Sequence, residues 1–196
     1  VVRQGLLFTE KVVFLHLLLS AGQSGGSAKN KLIGSIMAEF KTNVMRILDK
    51  EGIDYTAHEY PHGKDAVDGL TVANLLGEDP ACVFKTLVTR GDSGAFFVFV
   101  VPVESELDLK KCAKSVGEKH VEMIHVKDIN KVTGYVRGGC SPVGMKKLYV
   151  TTFHLSAREV ERIIVSAGKI GYQIELAPSD LLALTHGQYA DIVRDV

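Results

Sequence analysis

The chain has 196 residues, 46% hydrophobic and 23% charged, the composition of a folded domain with a full core. Lys and Arg balance Asp and Glu at 23 each, so no global field draws the chain to nucleic acid or to an anionic membrane. Any RNA contact must therefore rest on a local basic patch or be delegated to a partner. The three cysteines, Cys82, Cys112 and Cys140, form no CxxC pair, which argues against a disulfide framework and for a reducing, cytoplasmic setting. No metal and no cofactor are expected, and the histidines are assigned to surface and packing roles.

Residues 1–36 differ from the rest, with the apolar run KVVFLHLLLSA followed by the small, polar GQSGGSAKN. The run is too short to span a membrane. Of a targeting peptide, a packed extra helix and an upstream stretch outside the functional domain, the last fits best. Met37 then opens MAEFKTNVMRILDKEGI like a natural start, and residues 37–196 form the domain.

From Thr42 a helix is predicted, with Val44, Ile47 and Leu48 on one face and Gly52 as its stop. IDYTAHEY reads as a half-buried strand with Ile53, Tyr55 and Ala57 inward. DGLTVANLLG is a short helix capped by Asp68 and ended by Gly77. VFKTLVTR and AFFVFVVPV flank GDSG as a hairpin, and the second strand is apolar throughout, as in the middle of a sheet. LDLKKCAKSVG is a helix that turns Leu109, Cys112, Ala113 and Val116 inward. SAREVERIIVSAG carries the Ser-x-x-Glu signature of a capping box at Ser156 and Glu159. IIVSAG and YQIEL are strands, and PSDLLALTHG is a last helix. Helices and strands interleave without regular βαβ units, so the fold class is α+β, a mixed, strongly twisted sheet surrounded by helices.

Three places depart from this scaffold. Lys85, in CVFKTLV, sits where a core strand carries a hydrophobe. It either reaches solvent from an edge strand or lines a cavity, aimed at a carbonyl or a phosphate. The loop TGYVRGGCSPVGMKK, residues 133–147, holds four glycines but neither a Walker nor a dinucleotide-binding signature. Gly138, Gly139 and Pro142 suggest a tight, stiff turn that serves either strand closure or the presentation of backbone groups to a ligand. Ser166 ends a strand beside glycine, yet no histidine lies at a diagnostic spacing for a triad. Cys140 is read as a small buried hydrophobe before a nucleophile.

FKTLV, then PV…LDLKK, EKHVEM, TGYVRGGCSPVGMKK, VSAGKIGYQIEL and YADIV occur in this order. In these motifs, over about residues 40–195, the chain resembles the YbaK/EbsC family, free-standing Cys-tRNA(Pro) deacylases related to the editing domain of prolyl-tRNA synthetase. The resemblance implies a partly barrel-like mixed sheet and hydrolysis of cysteine wrongly attached to tRNA(Pro), with prolyl-tRNA synthetase as an accessory partner and no membrane. It places the essential lysine at Lys85 and a site-lining backbone carbonyl at Gly138. Substrate contacts fall at Tyr60, Thr86, Ser166 and Gln173, with Gly139 and Ser141 beside the carbonyl. Gln173 is a departure, because the best-studied branch has an aspartate there. A carboxylate holds an ammonium more strongly than a neutral amide, which leaves amino-acid selectivity open. The implied chemistry is attack of the substrate's own thiol on its ester. Two rivals remain, deacylation of Ala-tRNA(Pro) or another small aminoacyl ester, and a non-catalytic aminoacyl or nucleotide-binding module.

Overall fold

The structure, a computed structural model, describes residues 41–63 and 67–195. The expectations for residues 1–36 and for Met37 lie outside them. The residues from Thr42 on form one compact unit.

Helix α1, Asn43–Glu51, starts where the Thr42 hydroxyl accepts from the Met45 N–H at 3.2 Å and stops at Gly52. It buries Val44, Met45 and Leu48, while Ile47 of the expected face is only partly buried against the core. Strand β1, Tyr55–Glu59, follows, but only Tyr55 and His58 are partly buried in it and Ala57 is exposed. Of the expected inward set, Ile53 and Tyr55 pack partly buried on the core and Ala57 does not, because β1 is an edge strand paired with one neighbour. Helix α2, Gly69–Leu76, has the expected Asp68 cap and Gly77 stop.

Strands β2, Phe84–Gly91, and β3, Phe96–Pro102, form the predicted antiparallel hairpin. They are followed by α3, Leu109–Ser115, with Cys112 and Ala113 buried. Strand β4, Val121–Met123, helix α4, Val126–Thr133, and strand β5, Val150–His154, come next. The chain closes with β6, Ile163–Ser166, β7, Tyr172–Leu176, α5, Pro178–Thr185, and β8, Gln188–Ala190. The capping box is not formed. Ser156 lies inside a short 3₁₀ turn, Leu155–Arg158, whose start is capped by the His154 ring accepting from the Ser156 N–H at 3.3 Å. Four residues are too few for the reciprocal bonds that such a box makes in an α-helix.

The strands form a five-stranded sheet, β4-β2-β3-β5-β8, and a three-stranded sheet, β1-β7-β6. β3–β5 and β5–β8 are parallel and the other ladders antiparallel, which makes the mixed sheet expected. The two sheets meet at an isolated parallel bridge, Val83–Ile164, and the barrel they begin is not closed. Between them lies the main core, with Val98 and Val100 from β3, Ile163 and Val165 from β6, and Ile174 and Leu176 from β7. The other face of β3, Phe97, Phe99 and Val101, packs on α3. Burial on both faces explains the unbroken apolar run of β3, and Phe99→Ala would cost about 3–5 kcal/mol. A third cluster, Ala73, Val83, Val103 and Ile164, lies beneath α2 at the junction of the sheets.

Candidate active site

Beyond the Val83–Ile164 bridge β2 and β6 part, and the wedge between them opens into a cavity of about 410 Å³. β4 pairs only with Thr89–Gly91, so the earlier part of β2 has an uncovered edge and lends both its faces to the wall. By register Lys85 shares the face of Val101 and Thr86 that of Val100, yet both line the cavity. Ser166 and Gln173, cross-strand partners on β6 and β7, line the opposite wall. Tyr60, which follows β1 and is anchored by its N–H to the Gly171 carbonyl at 3.0 Å, closes one end. Gly138 and Cys140 come from the glycine loop.

That loop is stiff for identifiable reasons. The Tyr135 hydroxyl donates to the Val143 carbonyl at 2.6 Å, Lys146 N–H to Thr133 O at 3.1 Å, and the Lys146 ammonium to Asn130 O at 2.9 Å. Gly138 adopts φ 82°, a conformation that costs a residue with a Cβ about 1–2 kcal/mol. Gly139 has a different task. A Cβ there would lie 3.0–3.2 Å from the backbone of Lys169 and Ile170, so the loop rests directly on the β6–β7 turn.

Tyr60, Lys85, Thr86, Gly138, Ser166 and Gln173 are therefore brought together at one cavity, and Gly139 and Ser141 are not. Ser141 is fully buried, and its hydroxyl accepts from the Val143 N–H at 3.3 Å, a bond internal to the loop. Gly139 faces the β6–β7 turn instead of the cavity. Sequence reasoning missed Arg137 and the apolar wall of Met123, Ile124, Val126 and Ile129. The signal available was the position of EKHVEM and HVKDINKVT just upstream of the loop. It also passed over HEYPH, residues 58–62, which spells the HExxH of zinc hydrolases. That motif needs both histidines on one helix face, whereas here His58 lies on β1, facing Glu175 at 2.8 Å. His62 bonds the Gly63 carbonyl at 2.9 Å, and among the described residues no His, Cys, Asp and Glu group is placed to hold a metal.

Chemically the cavity is cationic. Lys85 and Arg137 line it, and among the described residues Asp, Glu and His do not. The Lys85 ammonium donates to the Val103 carbonyl at 2.9 Å and keeps its other donors for a ligand. Burial pulls its pKa below the ordinary 10.5, and the Glu106 carboxylate partly opposes that shift. Burial pushes the Cys140 thiol up to about 11, so at neutral pH it is protonated and a poor nucleophile. Among the described residues the buried oxygens Thr86 Oγ1, Ser166 Oγ and Gln173 Oε1 have no hydrogen-bond partner. Orphaned polar atoms on cavity-lining side chains are costly in a closed protein and are satisfied when a polar ligand enters.

Residues 64–184 match the family model described as "Aminoacyl-tRNA editing domain". The chain belongs to the aminoacyl-tRNA editing domain family. Editing domains of this family are hydrolytic. A relative from Enterococcus faecalis, provisionally named Cys-tRNA(Pro)/Cys-tRNA(Cys) deacylase EbsC, is 49% identical over 152 residues, 78% of this chain and 93% of its own length. A proline–tRNA ligase from Fervidobacterium nodosum is 33% identical over 95 residues, 48% of this chain and 16% of that enzyme. The fold is shared with a crystal structure provisionally titled a trans-editing enzyme for prolyl-tRNA synthetase. The TM-score is 0.68 at 24% identity, over 78% of this chain and 95% of that one. The editing domain thus has the mixed α+β architecture of that structure. Among its described residues no helix is long and apolar enough to cross a membrane.

Proposed function

We propose that this editing domain deacylates tRNA wrongly charged with cysteine, with Cys-tRNA(Pro) as the substrate and the cysteinyl thiol as the attacking group. The observation that carries the reading is the cavity's inventory: an ammonium, orphaned hydrogen-bonding oxygens and a backbone turn, with no nucleophile–base pair among the described residues. Among the described residues no histidine lines the cavity beside Ser166, and the Cys140 thiol is held protonated. A site equipped this way positions an ester and stabilises charge, and the substrate must bring its own nucleophile or accept water.

The cysteinyl thiol, with an ordinary pKa of about 8.5, loses its proton, and its sulfur attacks the ester carbonyl carbon. A carbon–sulfur bond forms, and the carbon–oxygen bond to the terminal ribose breaks. The ribose oxygen takes up a proton and leaves as uncharged tRNA. Water opens the resulting thiolactone to free cysteine. The Lys85 ammonium is placed to stabilise the carbonyl oxygen as it gains negative charge. Tyr60, Thr86, Ser166 and Gln173 hold the amino-acid portion, and the turn at Gly138 presents its backbone carbonyl. Proline has no thiol and survives by this chemistry.

We take the responsible domain to begin near Met37, and the compact unit itself starts shortly after it, at Thr42. Prolyl-tRNA synthetase is the expected partner, since the chain carries no net charge with which to grip a whole tRNA. The test is the decay of Cys-tRNA(Pro), Ala-tRNA(Pro) and Pro-tRNA(Pro) with the protein present. Loss of the cysteinyl ester alone supports thiol attack, whereas equal loss of the alanyl ester points to water.

A further inference from the structure

The two sides of the cavity mouth are unlike in charge. On one side are α2, the turn after it and the end of β3, residues 67–82 and 103–106. They carry Asp68, Glu78, Asp79, Glu104 and Glu106 and no Lys or Arg. On the other side are β4, α4 and the glycine loop. Residues 121–147 hold five Lys or Arg against two Asp or Glu. A chain with no net charge has thus gathered a local excess of positive charge beside its cavity.

The same side exposes apolar surface. Met123 is 45% exposed, Val126 57% and Val136 49%, although Met123 and Val126 line the cavity and Val136 adjoins Arg137. On α4, Val126 and Ile129 face the cavity, while Lys127 and Lys131, one turn apart, are exposed. Neither lysine forms a salt bridge among the described residues, and Arg137 forms none either. Exposed apolar side chains beside unpaired cations suit a strand of nucleotides, whose bases lie on apolar surface while its phosphates take the cations.

Resting on the deacylase reading, we propose that the unpaired 3′ end of the tRNA enters over the β4–α4–glycine-loop rim. Its last bases lie against Met123, Val126 and Val136, and its phosphates run past Lys127, Lys131 and Arg137. The α2 rim repels the same phosphates, so the charge difference between the rims fixes the direction of approach. The local patch replaces the global field that the chain lacks.

The experiment is single-turnover deacylation of Cys-tRNA(Pro), titrated with protein, which separates half-saturation from the maximal rate. In parallel, anisotropy follows binding of a labelled, uncharged RNA hairpin with a single-stranded CCA end. Lys127→Glu/Lys131→Glu is expected to raise the half-saturating concentration about tenfold at an unchanged maximal rate. It should also flatten the salt slope of hairpin binding by about 1.4, because two fewer phosphates are neutralised. Val126→Asp should weaken both readouts. Glu104→Lys, on the opposite rim, should leave them unchanged or slightly tighter. Unaltered half-saturation and hairpin affinity in the double variant would overturn the proposal, as would a marked tightening by Glu104→Lys alone. If Cys-tRNA(Pro) is not cleaved at all, the deacylase reading fails, and hairpin binding still decides the rim.

Discussion

The floor of the cavity and its rim are built on different principles. The floor comes from hydrogen-bonded ladders, β2 in the hairpin and β6–β7 in the smaller sheet, with polar atoms left unpartnered on buried side chains among the described residues. The rim is a short helix and the outward-facing side chains of the glycine loop, apolar and cationic, whereas Gly138 and Gly139 of that loop belong to the floor. A preorganised floor suits the reacting ester, where small displacements matter most, and a solvated rim suits a charged polymer held at many weak contacts. Substitutions in the floor should therefore change the maximal rate, and those in the rim should change half-saturation.

The largest expected effect is at Lys85. Lys85→Ala should lower the deacylation rate about 10²–10³-fold, the usual loss on removing one preorganised group that stabilises developing oxygen charge. Lys85 must be protonated to do this, and burial lowers its pKa, so loss of activity at alkaline pH should begin below 10.5. The rate should rise as the substrate thiol ionises near about pH 8.5 and then fall. A profile that rises without a falling limb would count against the lysine's role.

Next comes the loop. Gly139→Val places side-chain atoms against the Lys169–Ile170 backbone and lifts the loop from the β6–β7 turn. A shift of about 1 Å at the reacting centre costs up to about 10²-fold, so the rate should fall strongly with half-saturation little changed. Equal losses in both quantities would blur the division between floor and rim.

A smaller effect concerns stability. Among the described residues both Glu78 carboxylate oxygens are buried without a hydrogen bond, and the His58 ring nitrogen lies 3.9 Å from one of them. Burial raises the Glu78 pKa above its ordinary 4.5. A raised pKa means the folded state favours the neutral acid. That contribution is complete below the unfolded value and is lost as pH rises through the folded one. Glu78→Gln should therefore raise the melting temperature at pH 8 by about 2–4 °C, and have little effect at pH 4. The smallest effect is expected at Ser141. Ser141→Ala removes one loop bond, costs about 1 kcal/mol of stability, and leaves the maximal rate within twofold if the residue stays outside the cavity.

Much of the scaffold was legible because local signals agreed. Thr42, Asp68, Gly52 and Gly77 bound their helices as capping chemistry requires, and the apolar run of β3 announced a strand buried on both faces. β4 and β8, at three residues each, were too short to show a period, and β5 hid behind two threonines that are buried in the sheet. Lys85 was visible as a misplaced charge, but its use of both edge and face depends on where β4 ends, which is a tertiary fact. Gly138 and Gly139 looked alike in sequence and differ in function, one needed for its φ and the other for a neighbour distant in the chain. Ser141 was drawn into the site by its loop, and only the turn geometry removes it. The apolar rim escaped notice because exposed valine and methionine carry no pattern until a cavity is known to lie beside them.

The most direct measurement is the decay of Cys-tRNA(Pro) with wild-type protein and with Lys85→Ala, beside Ala-tRNA(Pro) and Pro-tRNA(Pro). Faster loss of the cysteinyl ester alone, abolished by Lys85→Ala, is the predicted result. Undiminished loss in the variant, or a cysteinyl ester as long-lived with the protein as without it, would contradict a lysine-assisted, thiol-driven editing site.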